Sequence, residues 1–291
     1  KRLIKHYNLD GYVVPKNDEF FGEYIPKSKD KLKFISDFSG SYGFALILKN
    51  RNYLFVDGRY TLQAKIQSGK FFEILTIPQK FPSDVLKNKK LKIGFDPKLY
   101  TKKTLNIFFG KTNCQLLPIK RNLVDSIWIK KKDSNTKKFY VLPKNVVGEN
   151  YEVKLKKLTT ILRNKNVNLQ FVTASENIAW LLNMRGQDSK FTPIPNSYLL
   201  LDSNKKITLF CNLNKIDFSF KKKFKNIEYV NIDNVDTFLS KIRNKKILLD
   251  SSSCSMCFEN ILNKNNKIIE FSDPIYFLKS VKSKVEIKNT I

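Results

Sequence analysis

The 291-residue chain has one histidine, His6, and no Asp-x-Asp pair. These two absences exclude most catalytic designs. A zinc site built on imidazoles needs more than one, and a lone His lacks such a partner. A Ser–His triad likewise finds no second imidazole to serve as its base. His6 is therefore read as a helix residue, surface or half-buried. Gly-x-Ser-x-Gly, Gly-x-Gly-x-x-Gly and Walker sequences are also missing. The Gly40-Ser41-Tyr42-Gly43 spacing reads as a tight turn before a strand, whereas a phosphate loop would lead into a helix. Cysteine is scarce: Cys114, Cys211, Cys254 and Cys257 are too scattered for a disulfide framework. Cys254 and Cys257 have CxxC spacing without a second Cys or His pair. They sit with Phe258, Ile261 and Leu262 in an amphipathic run, which favours packing over redox or metal chemistry. Reduced thiols point to the cytoplasm. No apolar run approaches the roughly 20 residues of a membrane span, so no membrane partner is expected.

Positive charge is what the chain has in excess. Its 54 Lys and Arg against 26 Asp and Glu give a formal +28. Such a field can draw nucleic acid or anionic surfaces. Here the lysines are spread along the chain among asparagines, and runs such as Lys130-Lys131-Lys132 are short. No nucleic-acid motif accompanies them, so no specific nucleic-acid partner is expected. A hydrophobic content of 42% marks a globular chain, and the length suits two domains. The chain opens on Lys1 rather than Met, so further sequence is expected before it.

Residues 37–69 organise the rest. Two apolar runs, 43–49 and 53–57, flank a short polar turn and predict a hairpin. Asp57 follows the second run and is placed to N-cap a helix. Leu62 and Ile66 fall on one face of that helix, and Gly69 is its expected stop. Arg59 is the anomaly, because a cation in a first helical turn opposes the macrodipole. It reads either as a surface ion-pair partner or as a residue kept there for function.

Around this stretch, strands are expected near 11–15, 71–77, 91–96 and 115–119, with helices near 1–7, 28–34, 83–88 and 102–109. The second half repeats the plan. It reads helix 151–163, strand 169–173, and a helix N-capped by Ser175 through residue 182. A hairpin of 197–202 and 206–211 follows, and then strands near 227–232, 247–250 and 267–271 alternate with helices near 235–243 and 254–262. Both halves place a hairpin before strand–helix alternation, which suggests two copies of one α/β fold. The polar, lysine-rich residues 131–148 suit a linker. Phe277, Val281, Val285 and Ile287 form a helical stripe running to the last residue.

Three blocks carry a family resemblance. Asp37-Phe38-Ser39-Gly40-Ser41-Tyr42-Gly43 with Val56-Asp57-Gly58-Arg59-Tyr60 resembles the N-terminal domain of the aminopeptidase P branch of the creatinase-like family. Residues 173–188, ending Asn183-Met184-Arg185-Gly186-Gln187-Asp188, resemble its second domain, as do Pro195-Asn196-Ser197-Tyr198 and the apolar run after them. The resemblance implies two tandem creatinase N-terminal-like domains, each a mixed, mostly parallel sheet flanked by helices. They would cover 1–130 and 149–278, with 279–291 leading into a pita-bread catalytic domain beyond the chain. It implies a metal-dependent Xaa-Pro aminopeptidase, dimeric, acting on peptides with proline second. Its two divalent metals, usually manganese, would be held by that further domain. No catalytic residue, metal ligand or cofactor is assigned within the chain. The matching Arg59 would contact the peptide, and Asp57 would cap its turn. Arg185 and Asp188 would brace an interface or touch substrate, with Gly186 as a left-handed cap after the helix. Trp180 reads as core. The alternative is a non-catalytic creatinase-like module that binds a peptide or protein.

Overall fold

Strand β1 (Gly11–Pro15) and strand β2 (Gly43–Leu48) carry almost no polar side chain. Strands of that kind must be covered on both faces. In a computed structural model describing residues 1–129, 135–224 and 226–291, they lie in the middle of a six-stranded sheet. The remaining strands of this first unit, Lys1–Asp133, are β3 (Asn52–Asp57), β4 (Glu73–Ile77), β5 (Lys92–Phe95) and β6 (Gln115–Pro118), in the order β4-β3-β2-β1-β5-β6. The β2–β3 hairpin pairs antiparallel with β1, and the outer pairings are parallel. Helices α1 (Arg2–His6), α2 (Lys31–Ser36), α3 (Thr61–Ser68), α4 (Pro82–Val85) and α5 (Lys102–Phe109) flank it. Phe44 stacks on Phe55 and Phe108, while its neighbour Ala45 packs with Leu32, Phe38, Leu54 and Ala64. The period of two thus fills both faces.

The second unit, Ser134–Ile291, repeats that order as β12-β11-β10-β8-β13-β14. Its strands are β8 (Leu169–Val172), β10 (Ser197–Asp202), β11 (Ile207–Cys211), β12 (Ile227–Asn231), β13 (Lys246–Leu249) and β14 (Lys267–Glu270). A two-stranded ribbon pairs β7 (Tyr140–Val141) with β9 (Met184–Arg185). The helices are α6 (Lys144–Val147), α7 (Tyr151–Asn164), α8 (Ser175–Leu181), α9 (Phe218–Lys222), α10 (Val235–Leu239), α11 (Met256–Asn263), α12 (Pro274–Ser280) and α13 (Lys284–Thr290). Again an antiparallel hairpin meets the first strand and parallel strands extend both edges. The two halves are copies of one topology, as the repeated element order implied.

Several local expectations give way to packing. Leu62 and Ile66 are 77% and 85% exposed, and α3 instead buries Ala64 and Ser68. Ser68 Oγ donates to the Ser36 carbonyl at 2.7 Å, so the helix lies close and only small side chains fit beneath it. Ser175 is the first residue of α8 rather than its cap, and its hydroxyl donates to the Ser197 carbonyl. The C-terminal stripe is two helices, because Val281 is extended and Ser283 starts α13 through a capping box with Glu286. The left-handed residue after α8 is Asn183, at φ 53°, and Gly186 does not have positive φ. Gly186 answers to space: a Cβ there would meet Phe139 and Pro195 at 2.9 Å.

The Lys130-Lys131-Lys132 run and the start of the expected linker lie outside the described residues. Beyond them the chain belongs to the second unit. Phe139 is buried in its core, its amide donates to the Lys215 carbonyl at 2.8 Å, and β7 and α6 follow. Apolar Phe139 within a polar stretch outweighs the lysines around it. Phe139→Ala is expected to cost about 3–5 kcal/mol of stability in thermal melts. A change below about 0.5 kcal/mol, as at an ordinary surface position, would return this stretch to linker status.

Candidate functional site

The turn from β3 into α3 is short. Asp57 is extended and caps a 3-10 turn, Gly58–Tyr60, through its carboxylate and the Arg59 amide at 2.9 Å. The same carboxylate takes the Arg59 side chain, with Nε at 3.1 and 3.2 Å and Nη2 at 2.6 Å. Arg59 is thus a local ion-pair partner, held in a fork while most of it stays in solvent. The guanidinium hydrogen bond holds the Asp57 carboxyl below its ordinary range, and the Arg59 amide adds to that. Nε and Nη2 face Asp57, which leaves Nη1 for an outside acceptor.

The first motif block closes on this turn. Tyr60 hydroxyl meets Ser41 Oγ at 2.8 Å, and its ring packs edge-on to buried Phe38. Gln63 and Gln67 on α3 hold Ser39. Gly40 lies over the Phe38 ring, where a Cβ would come within 2.3 Å. Two blocks separate in sequence therefore make one structure, and most of their residues position the turn.

Arg185 and Asp188 do not pair with each other. Arg185 Nη1 donates to the Ala179 carbonyl in the last turn of α8 at 3.1 Å and to the Met184 carbonyl of β9 at 2.9 Å. Burial pulls its pKa below the ordinary value. Asp188 forms a buried ion pair with Lys215 and accepts the Asn196 amide at 2.7 Å. Both residues find these partners inside the second unit.

Two charge clusters escaped sequence reading. Lys154 is buried on α7 with its ammonium 4.1 Å from the Trp180 ring centroid. It donates to the Trp180 carbonyl at 2.9 Å and to Asn183 Oδ1 at 2.5 Å. Burial lowers it to about 8 against the pull of Glu286 and Glu149. Its regular place among the lysines of α7 gave no signal. In the first unit, buried Asp18 lies beside Glu19 and Lys29, and burial, then Glu19, raise its carboxyl to about 6. Among the described residues no three His, Cys, Asp or Glu come together to hold a metal, so they do not fit a dinuclear centre. No described helix is long and apolar enough to cross a membrane.

The creatinase/prolidase N-terminal domain profiles match residues 1–124 and, separately, 130–286. The chain belongs to the creatinase/prolidase family. Its relatives include aminopeptidase P-like members. A probable Xaa-Pro aminopeptidase P of Colletotrichum graminicola is 28% identical over 99% of this chain and 50% of its own length. The Drosophila melanogaster Xaa-Pro aminopeptidase ApepP is 30% identical over 97% of this chain and 48% of its own. A solved X-prolyl aminopeptidase from Caenorhabditis elegans, described as cytosolic with a di-nuclear active site, superposes with a TM-score of 0.87. It covers 96% of this chain and 48% of its own at 23% identity, which speaks for the fold alone. The chain spans about half the length of the curated relatives it matches.

For this creatinase-family chain, Asp188→Ala should destabilise by about 3–5 kcal/mol, because it leaves the Lys215 ammonium buried without its partner. Asp57→Ala should cost only about 1 kcal/mol as the loss of a cap. Chemical denaturation of both variants measures the contrast, and equal losses would refute it.

Asp18 gives a pH signature. Its folded pKa, about 6 against an ordinary 3.8, means that the fold binds the proton more tightly than the unfolded chain. Stability should therefore fall as pH rises from about 4 to about 6. Asp18→Asn should flatten that slope and gain about 2 kcal/mol above pH 6. Melts across this range check it, and an unchanged slope would assign the pH dependence elsewhere.

Proposed function

We propose that this chain is the N-terminal, non-catalytic part of a metal-dependent Xaa-Pro aminopeptidase, which removes an N-terminal residue preceding proline. Its family membership, the names of its relatives and its match to about half their length support this reading. The two units would wall the entrance to the active site, turn away long or bulky chains and support a cytoplasmic homodimer. Two divalent metals, manganese in keeping with the family, would be held by residues other than those described. Arg59 would bind the substrate peptide, while Asp57, Arg185 and Asp188 would hold structure or interface.

The observation that carries the reading is the Asp57–Arg59 fork. A guanidinium already held by a carboxylate loses little freedom when it takes a further acceptor. Its Nη1 could donate to a peptide carbonyl or carboxylate, and a lysine could not hold both partners in one plane. The turn also lies where a strand gives way to a helix, a common place for functional groups in open α/β sheets. A second reading, a peptide- or protein-binding module without catalysis, draws on the lack of a metal-ligand group among the described residues.

In the enzyme carrying this chain, Arg59→Ala should lower kcat/KM for X–Pro peptides about ten- to a hundredfold at an unchanged melting temperature. Arg59→Lys should not restore it. Unchanged kinetics with a lower melting temperature would make Arg59 a structural ion-pair partner only. Turnover of Gly-Pro or Arg-Pro peptides by the 291-residue chain alone, above a mock preparation, would refute the non-catalytic assignment. An enzyme carrying the chain that binds such peptides without cleaving them would favour the second reading.

A further inference from the structure

One end of the second unit's sheet gathers lysines that are scattered in the sequence. This end carries the starts of β8, β13 and β14 and the turn from β10 into β11. Lys205 and Lys206 lie in that turn, Lys245 and Lys246 lead into β13, and Lys264 and Lys267 lead into β14. Of these six, Lys206 comes within 3.8 Å of Glu228. The other five pair with no carboxylate among the described residues. Asp202, in the same turn, is taken up by the Asn204 and Lys206 amides at 2.8 Å. The acids Asp233, Asp250, Glu270 and Asp273 stand at the other end, where β12, β13 and β14 finish.

Lys246 and Lys267 are register partners on neighbouring parallel strands. Their side chains share a face of the sheet, and like charges set opposite each other weaken a sheet. A local conflict kept without an internal anion points to an anion from outside. The loops that carry the lysines are stitched together. The Lys267 amide donates to the Lys245 carbonyl at 2.9 Å, the Asn168 amide to the Lys246 carbonyl at 3.0 Å, and the Ser203 amide to the Asn168 carbonyl at 3.1 Å. The lysines thus stand on a platform five strands wide, about 20 Å at the usual strand spacing.

The other groups on the platform say which anion. Asn204, Asn244 and Asn265 are exposed there, and none of the large exposed apolar side chains belongs to these loops. A bilayer-binding face would offer an apolar residue to the interface, and a single-strand site would offer an aromatic ring to stack bases. An acidic peptide spaces its charges by about 3.3 Å or more, whereas a duplex carries one per about 1.7 Å. Lysines and amides on a flat, rigid face match phosphate oxygens at that density.

We propose that this platform binds the phosphate backbone of a nucleic-acid duplex without reading its sequence. Lys246 and Lys267 take adjacent phosphates, and release of counterions drives the contact. The platform holds none of the residues assigned to the X–Pro substrate, and its test does not require turnover.

The whole chain is titrated into a short labelled DNA duplex of mixed sequence at several NaCl concentrations, with fluorescence anisotropy as the readout. The unmodified chain should bind with an affinity that falls steeply with salt, and equally to a duplex of scrambled sequence. Lys246→Gln together with Lys267→Gln should weaken binding at least about tenfold and lower the slope of log affinity against log salt by about two. The melting temperature should stay the same or rise, because the like-charge pair is gone. Lys284→Gln together with Lys288→Gln removes the same charge from α13, which packs on α6, and should change binding less than about threefold. No binding by the unmodified chain, or equal losses in the two paired variants, would overturn the proposal. So would tighter binding to phosphatidylserine vesicles or to polyglutamate than to the duplex.

Discussion

A strand buried on both faces constrains everything around it. β1 in the first unit is buried along its whole length, and β8 in the second nearly so. Each must have apolar layers above and below and a paired strand at both edges, because buried peptide groups left unpaired are costly. In both units an antiparallel hairpin supplies one edge and a parallel strand the other. The shared strand order follows. So does the place of the β3–α3 turn, where the hairpin's second strand must reverse into a helix that covers the sheet.

That covering helix lies close because small side chains face the sheet. Ala64 packs with Leu54 and Val56, and Ser68 reaches the end of α2. The rotation that buries Ala64 turns Leu62 and Ile66 outward. It also sets Arg59 at the start of the helix, against the dipole, where the Asp57 carboxylate offsets the unfavourable charge. One carboxylate thus caps the turn and orients the cation. The geometry resolves the local anomaly without giving up the exposure of the guanidinium.

Buried charge ties segments of the second unit together. The Lys215–Asp188 pair ties the segment after β9 to the 3-10 turn after β11, and the Lys215 carbonyl also receives Phe139. The Lys154 ammonium satisfies a carbonyl at the end of α8 and the side chain of left-handed Asn183. Such groups are tolerated in an interior only when their hydrogen bonds are met. Removing one partner is costlier than forming the pair is favourable, so they specify which segments meet.

The sequence alone determined the elements and their repetition. Apolar runs on either side of a short polar turn marked the two hairpins, and β1 and α5 have the expected bounds. The motif blocks pointed to the turn at Arg59. These signals are local, carried by the period of side chains and by turn chemistry within a few residues. The partners were decided only by the tertiary structure. Asp188 finds Lys215, 27 positions away, rather than Arg185. Lys154 finds Trp180 and Asn183, and Phe139 leaves its lysine-rich surroundings for a core. The outward face of α3 and the break at Val281 have the same origin. Which side chain fits beneath a helix, and which charge meets which, depends on distances set by the packed sheets, and no local pattern encodes those distances.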